Sequence, residues 1–173
     1  MRVGLVSDTH GLLEPRLAEL FRGCDLILHA GDVVAAPVLE ALSRLAPVTA
    51  VRGNNDRAPA FAHLPELAEV ALGDVRAILV HQIGSRGRLL RSVREAVART
   101  GARLLVYGHS HRPVAVVEDG LLRVNPGAAG PRRFRLPRSA GLLELDGRRI
   151  AVRIFDLDRP DLPLLQPPLE VEV

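Results

Sequence analysis

The fold of this chain is constrained most by five short apolar segments, each of which is followed within a few residues by Asp, Asn or His. Apolar runs of this length, without alternation, are typical of β-strands that are buried on both faces of a sheet covered by helices. In such folds functional side chains gather at the carboxyl ends of the strands. The segments and the residues after them are Val3 to Val6 with Asp8 and His10, Leu26 to Leu28 with Asp32, Val48 to Val51 with Asn54, Ala77 to Val80 with His81, and Leu104 to Val106 with His109 and His111.

Amphipathic patterns between these segments predict helices that pack on the sheet. Their apolar positions are Leu13, Leu17, Leu20 and Phe21, then Val38, Leu39, Leu42 and Leu45, then Leu89, Leu90, Val93 and Val97. Farther along the chain, Asp-Gly pairs at 119–120 and 146–147 predict tight hairpins between antiparallel strands. The expected fold is therefore an α/β sandwich with partly parallel and partly antiparallel sheets.

The length of 173 residues fits one domain with a single active site. We assign residues 1–157 to this domain and the proline-rich residues 158–173 to an extended C-terminal tail. The connection at residues 57–66, which contains Pro59 and Pro65, has no clear period and is expected to overhang the site. The leucines of the tail also offer a surface on which a homo-oligomer could form.

Composition narrows the partners of the chain. A net charge of +3 and a pI near 10.3 suit an anionic substrate, whereas 3% aromatic residues argue against a platform that stacks nucleic-acid bases. No apolar run approaches the roughly 20 residues of a membrane-spanning helix. The first apolar stretch runs directly into Asp8, unlike a signal peptide. We expect a cytoplasmic protein that does not bind membranes and for which a small phosphorylated substrate is favoured over nucleic acid.

Taken singly, each Asp, Asn or His has an ordinary structural explanation. Asp32 could cap a helix, and a histidine after a strand is usually just a hydrogen-bonded residue. Seven such groups at five strand ends would be costly to bury without a partner, and divalent cations satisfy oxygen and nitrogen donors of this kind. With a single cysteine in the chain, mixed oxygen and nitrogen ligation suits manganese first, or nickel, iron, cobalt or zinc.

Five sequence blocks resemble, in order, those of the calcineurin-like metallophosphoesterases, in particular small bacterial and archaeal phosphodiesterases related to the eukaryotic retromer subunit of the same fold. The blocks are Asp8-Thr9-His10, Gly31-Asp32, Gly53-Asn54-Asn55-Asp56, His81, and Gly108-His109-Ser110-His111. The resemblance runs from Arg2 to about Phe155 and implies a four-layer αββα sandwich of two mixed β-sheets flanked by helices. The implied metal ligands are Asp8, His10 and His111 for one ion, Asn54, His81 and His109 for a second, and Asp32 bridging both.

The activity that this resemblance implies is hydrolysis of phosphodiester bonds by a hydroxide that bridges the two metal ions. Two ions about 3.5 to 4 Å apart lower the pKa of a shared water and stabilise both the attacking and the leaving oxygen. The candidate catalytic residues are Asp32, Asn54, Asn55 and His81, and the candidate substrate contacts are Asn55, Arg57, Arg132 and Arg133. Guanidinium groups can bind phosphate through two hydrogen bonds, although a solvated loop explains the arginine cluster equally well.

Two positions depart from the family pattern. Many members have a histidine at the position of Asn55, where it is thought to protonate the leaving group, and an amide cannot deliver a proton. We therefore expect activity on diesters with good leaving groups rather than on a broad range of monoesters. The second departure follows His81, where Gln82 and Ile83 replace a common Gly-His pair, which leaves the substrate contacts there open.

Two other functions compete with this prediction. The chain could be a non-catalytic metal-binding scaffold, as the retromer relative illustrates, because fold does not fix function. The high pI also allows a nuclease, whose binding to nucleic acid would weaken steeply with salt. All seven ligand types are present and no extended basic tract is found, so hydrolysis of a small phosphodiester is the favoured prediction.

Overall fold

The computed structural model describes residues 1–85, 88–133 and 135–173 and contains two large β-sheets with three α-helices. The strands are β1 (Arg2–Val6), β2 (Leu26–His29), β3 (Val48–Ala50), β4 (Leu67–Leu72), β5 (Val75–Val80), β6 (Gly84–Ser85), β7 (Arg88–Leu89), β8 (Leu104–Val106), β9 (Val114–Glu118), β10 (Leu121–Asn125), β11 (Ser139–Asp146), β12 (Arg149–Asp156) and β13 (Leu169–Glu172). The helices are α1 (Arg16–Leu20), α2 (Ala36–Ser43) and α3 (Arg91–Thr100), with a 3-10 turn at Pro59–Phe61.

Both sheets are mixed. The six-stranded sheet has the order β13-β12-β11-β1-β2-β3, and the five-stranded sheet has the order β4-β5-β8-β10-β9. Strands β1, β2 and β3 run parallel, as do β5, β8 and β10, while the remaining pairs in both sheets are antiparallel. The prediction of partly parallel and partly antiparallel sheets is confirmed.

The sheets pack face to face, with helices on their outer faces. Alternate residues along β1 face opposite ways, so Val3 and Leu5 enter the core between the sheets while Val6 packs toward α1 and α2. In the other sheet, Leu79 enters the same central core and Ile78 packs against α3. The result is the four-layer αββα arrangement, and it explains why the parallel strands are apolar on both faces.

The predicted strands and hairpins are found where the sequence places them. All five apolar segments form strands, and the Asp-Gly pairs at 119–120 and 146–147 join β9 to β10 and β11 to β12. Gly120 and Gly147 both have positive φ, the conformation that a tight turn of this kind requires.

The helices are shorter than their apolar patterns predict. Leu13 lies outside α1 and is 41% exposed, because Pro15 disfavours helical geometry at the residue before it and the helix begins only at Arg16. Leu89 belongs to β7, and Leu90 has an extended backbone at the cap of α3. At these two helices the prediction was wrong by several residues.

Segments outside the predicted strands are also tied to the sheets. The C-terminal residues form β13, which pairs antiparallel with β12 at one edge of the six-stranded sheet. In the connection at residues 57–66, Phe61 is buried and packs in the core beneath α1 and α2. Within the part of the chain that the structure describes, no helix is long and apolar enough to cross a membrane.

Candidate metal centre

The structure brings all seven predicted ligands together where the ends of five parallel strands meet. The two sheets are joined at this edge by His81, whose side-chain Nδ1 atom lies 2.7 Å from the carbonyl oxygen of Ala30 at the end of β2. Within the five-stranded sheet, the amide of Gly108 donates to the carbonyl of His81 and so links the ends of β8 and β5. The ligands form two groups. The inner cluster is Asp8, His10 and His111, the outer cluster is Asn54, His81 and His109, and Asp32 lies between them.

The inner cluster is compact and buried. The Oδ1 atom of Asp8 lies 3.2 Å from Nε2 of His111 and 3.9 Å from Nε2 of His10. The two imidazole Nε2 atoms are 3.4 Å apart. One donor atom from each of the three side chains lies within 4.8 Å of the others, a spacing that suits a single cation.

The outer cluster converges on the side-chain oxygen of Asn54. Its Oδ1 atom lies 3.1 Å from Nε2 of His81 and 3.1 Å from Nδ1 of His109. His81 is buried, whereas Asn54 and His109 are exposed. The outer cluster therefore opens to solvent on the side away from the sheets.

Asp32 connects the two clusters through its two carboxylate oxygens. Oδ2 lies 3.8 Å from Nε2 of His10, and Oδ1 lies 3.5 Å from Nε2 of His81. Asn55 holds the same carboxylate, because its backbone amide donates to Oδ1 at 2.8 Å and its side-chain amide donates to Oδ2 at 2.7 Å. A carboxylate in this position can bridge two cations.

The donor set fits divalent cations. Among the described residues, Oδ1 of Asp8 has no hydrogen-bond donor although it is buried, whereas Oδ2 accepts from the Ser7 hydroxyl at 2.6 Å and from the His109 amide at 3.0 Å. Burial raises the pKa of Asp8, but interactions with His111, Ser7 and the imidazoles outweigh it, so the net pKa lies below the ordinary value. A buried anionic oxygen without a donor calls for a positive charge.

The tautomer of His81 supports the same conclusion. Its Nδ1 atom lies 2.7 Å from the carbonyl oxygen of Ala30 and must donate to it, so Nε2 is the ring nitrogen that can offer a lone pair to the outer cluster. That Nε2 lone pair faces the side-chain oxygen of Asn54 and one oxygen of Asp32. Three electron-rich atoms that converge in this way repel one another unless a cation lies among them.

The loops that carry the ligands have strained backbones. Positive φ angles are rare for residues other than glycine, and when they cluster they indicate a functional site held in place by the surrounding structure. The ligands with positive φ are Asp8 (52°), His10 (46°), Asp32 (56°), His109 (67°) and His111 (56°). The strain indicates that the surrounding structure, rather than local backbone preference, determines the conformation of these loops.

Glycines in the ligand motifs allow the loops to approach one another. A Cβ atom at Gly108 would overlap the Ser7 hydroxyl and lie 2.7 Å from Oδ2 of Asp8. A Cβ atom at Gly53 would overlap the backbone nitrogen and Oδ1 of Asp32. Only glycine fits at these two positions, which explains why glycine precedes the ligand in both motifs.

Three buried polar residues support the ligand loops, and ligand spacing alone did not identify two of them. The carboxylate of Asp56 accepts from the amides of Val34 at 2.7 Å and Gly53 at 2.8 Å, and so joins the loops that carry Asp32 and Asn54. Asn125 donates to the carbonyl of Gly108 at 2.8 Å and fixes the loop of His109 and His111. In the sequence, Asn125 begins an Asn-Pro-Gly turn, whereas Asp56 is marked only by its place after Asn55 in the motif.

His29 is a third buried polar residue that supports the ligand loops. Its Nδ1 accepts from the amide of Gly31 at 3.2 Å, and its Nε2 lies 3.1 Å from the Thr9 hydroxyl. Burial lowers the pKa of His29 to about 4, so the ring is neutral. It orients two ligand loops without facing the metal centre itself.

The predicted substrate arginines are placed differently from one another. Arg133 lies over the inner cluster, with Nη2 3.4 Å from Nδ1 of His10, and burial together with this guanidinium lowers the pKa of His10. Arg57 is exposed beside the outer cluster and donates to the carbonyl of Asn54 at 3.4 Å. Arg132 instead donates to the carbonyl of Leu136 within its own loop. Phosphate binding by these arginines stays a prediction.

An ion-pair network near the inner cluster anchors the loop that carries Arg132 and Arg133. Arg138 donates to Asp158 at 2.7 Å and to Glu14 at 2.6 Å, and Glu14 is buried. These contacts tie the end of the arginine loop to the loop that leads out of His10.

Comparison with known proteins agrees with this geometry. The calcineurin-like phosphoesterase superfamily domain matches residues 1–148. A probable metallophosphoesterase of Methanothermobacter thermautotrophicus is 32% identical over 168 residues, which cover 92% of this chain and 95% of the relative. The phosphodiesterase YfcE of Escherichia coli is 32% identical over 169 residues, with 84% and 89% covered.

A solved structure supports the fold. Vacuolar protein sorting 29 from Cryptosporidium parvum superimposes with a TM-score of 0.82 over 99% of this chain and 98% of that one, at 23% identity. The domain match spans most of the chain, and the ligand motifs meet at one centre as the fold requires. The protein is therefore a member of the calcineurin-like phosphoesterase superfamily and a metallophosphoesterase.

Proposed function

We propose that this protein hydrolyses small phosphodiesters at a centre that holds two divalent metal ions. The observation that carries the proposal is the convergence of two donor clusters on the shared carboxylate of Asp32, whose oxygens lie 3.8 Å from His10 and 3.5 Å from His81. One ion would be held by the inner cluster, the other by the outer cluster. Manganese is the first expectation, although nickel, iron, cobalt and zinc also suit these donors.

The chemistry follows from the charges in the centre. Two bound cations would supply a hydroxide nucleophile from a shared water and would neutralise the charge that develops on the phosphate. Asp8 and Asp32 are the two carboxylates among the seven ligands, so the loaded centre keeps a positive charge that attracts an anionic diester. Exposed Arg57 and Arg133 flank the opening and would orient the phosphate.

Asn55 would favour diesters over monoesters. It is exposed at the opening and its side-chain amide donates to Asp32, but no amide can transfer a proton to a leaving oxygen. Diesters with a good leaving group need little such assistance. Phosphodiesterase activity in a relative that is 32% identical agrees with this assignment.

The test compares bis-p-nitrophenyl phosphate with p-nitrophenyl phosphate under defined metal concentrations. Diester hydrolysis that requires manganese or a similar ion and disappears in Asp32→Ala is the expected result. Asp74→Ala is the matched control, because Asp74 is an exposed carboxylate in the turn between β4 and β5. Wild-type protein that binds two ions and leaves the diester intact would exclude the proposal and leave a metal-binding scaffold as the better description.

Nucleic-acid binding, cellular location, oligomeric state and the domain boundary are further predictions that can be tested separately. A nuclease would bind DNA or RNA with steep salt dependence, and we expect no such binding. A cytoplasmic location and a homo-oligomer stay predictions from the sequence, to be tested by fractionation and by light scattering. A boundary at residue 157 is likewise our proposal, although β13 beyond it pairs with β12.

A further inference from the structure

A groove of about 270 Å³ opens beside the outer cluster on the outer face of the five-stranded sheet. His109 and Ser110 lie at one end of it, so the groove is continuous with the metal centre. Helix α3 packs on Ile78 and Leu105 of this face, in a cluster that reaches Leu121 on β10. The groove runs beside this cluster along Val116 and Glu118 of β9 and Arg123 of β10, away from the metal centre.

The sides of the groove are apolar. Ile83 comes from the loop after β5, Tyr107 from the end of β8, and Val116 from β9. All three side chains are half-buried and keep accessible surface toward the groove. An aromatic ring and branched aliphatic groups together suit a flat, weakly polar group.

One polar pair at the groove has unused hydrogen-bonding capacity. Arg123 lines the groove although it is only 7% exposed, and its Nη1 donates to Glu118 at 2.5 Å. Among the described residues, its buried Nε has no acceptor. Glu118 is half-exposed, so the pair offers guanidinium donors and a free carboxylate oxygen side by side.

We propose that this groove binds a planar heteroaromatic arm of the phosphodiester, such as a pyrimidine base. The ring would contact Tyr107, and its adjacent carbonyl and N–H groups would face Arg123 and Glu118. The inference rests on the proposed function, because the phosphate itself must then lie at the metal centre. A volume of about 270 Å³, just below the roughly 300 Å³ at which small-molecule pockets begin, suits a single ring.

The test measures binding to the metal-loaded protein by calorimetry with three monoesters that differ in one arm. Uridine 5′-monophosphate has a polar ring, phenyl phosphate has a ring without a polar edge, and methyl phosphate has no ring. We expect affinity to fall in that order, with uridine 5′-monophosphate binding at least about tenfold more tightly than methyl phosphate. Equal affinities for the three ligands would overturn the proposal.

Two neighbouring residues of β9 give a matched pair of variants. Val116→Trp fills the groove and should abolish the advantage of the ring, whereas Val117→Trp places the same bulk at an exposed residue on the opposite face of the strand. An equal effect of both variants would contradict the groove as the binding site. If Val116→Trp fails to fold, Tyr107→Leu removes the aromatic contact instead and should reduce the ring advantage severalfold.

Hydrolysis of bis-p-nitrophenyl phosphate, measured in parallel, separates this inference from the proposed function. A ring-dependent affinity without hydrolysis would support the groove and exclude the phosphodiesterase. Hydrolysis with no ring preference in binding would exclude the groove alone.

Discussion

The inner and outer clusters of the candidate metal centre differ in how deeply their side chains are buried. In the inner cluster Asp8 is inaccessible and the side chains of His10 and His111 are 8% and 9% exposed. In the outer cluster Asn54 and His109 are exposed, and within the described part of the chain the side-chain oxygen of Asn54 has hydrogen-bonding contacts only with His81 and His109. The comparison indicates a buried, preorganised inner cluster beside an outer cluster that is accessible to solvent.

The supporting structure explains this difference. All three inner ligands have positive φ, whereas in the outer cluster only His109 does. The Ser7 hydroxyl fixes one oxygen of Asp8, while Arg57 and the groove beside His109 lie open next to the outer cluster. If each cluster holds an ion as proposed, the rigid, buried inner site should bind its ion more tightly, and the open outer site should exchange its ion and admit the phosphate.

Removing one ligand from each cluster should have the largest effect and tests the comparison directly. We expect Asp8→Ala to lose the inner ion and about a thousandfold in kcat/KM, because charge stabilisation in the transition state disappears with the metal. His109→Ala should lose roughly a hundredfold and should recover as the manganese concentration is raised. Kinetics and metal content by mass spectrometry provide the measurement. If His109→Ala proved as damaging at saturating metal, the asymmetry would be wrong.

Metal removal should distinguish the clusters in a second way. We expect a chelator to release the outer ion first and the inner ion only at higher concentration, in two steps visible by native mass spectrometry. At 100 times Kd a bound ion stabilises the folded state by about 2.7 kcal/mol. For a chain of this size that corresponds to a Tm shift of roughly 5 to 10 °C, concentrated in the second step. Release of both ions in one step would remove the distinction.

Substitution at the open side should change specificity without disturbing the inner cluster. Asn55→His supplies a proton donor beside the outer cluster, so we expect at least about a tenfold gain with phenyl phosphate, whose leaving group needs acid assistance. The gain should be smaller with p-nitrophenyl phosphate. Asn55→Gln is the control and should show no gain, because it remains an amide. Equal changes in both variants would mean that Asn55 acts only by holding Asp32.

Much of the fold can be predicted from the sequence because the central strands are buried on both faces. Strand β4 was missed, since Glu69 faces outward from an edge strand of mixed polarity, although Gly73-Asp74 is a turn signal that could have located the hairpin. Strand β13 was also missed, even though residues 169–172 alternate in polarity as a half-exposed strand does. Edge strands depend on pairing partners that are distant in sequence.

The candidate ligands were predictable because strand ends collect them at one edge. The residues that support the ligand loops could not be predicted in this way. Asp56 and Asn125 act through backbone amides and carbonyls of residues that have no special sequence signature. The unequal burial of the two clusters cannot be predicted from the sequence either, because the order of the ligands along the chain does not indicate which loop faces solvent. Nor does sequence separate Arg132 from Arg133, which point in different directions.

We expect the smallest effect from a substitution in the ion-pair network of Arg138, Asp158 and Glu14, which anchors the arginine loop near the inner cluster. Burial raises the pKa of Asp158, but hydrogen bonds and charge from Arg138 outweigh it and hold the pKa below its ordinary value of 3.8. The ion pair therefore stabilises the folded protein above about pH 4, and this contribution is lost as the pH falls through the depressed pKa. We expect Asp158→Asn to lower the free energy of unfolding by about 1 kcal/mol at pH 7, discounted for partial exposure, and to change kcat/KM less than threefold.

Asp161→Asn is the control, because Asp161 pairs with Arg159 in an exposed contact at 3.6 Å and should contribute almost nothing to stability. Denaturant unfolding at pH 7 and pH 3 checks the prediction, and a difference between Asp158→Asn and wild type that persisted undiminished at pH 3 would contradict the ion pair as its cause.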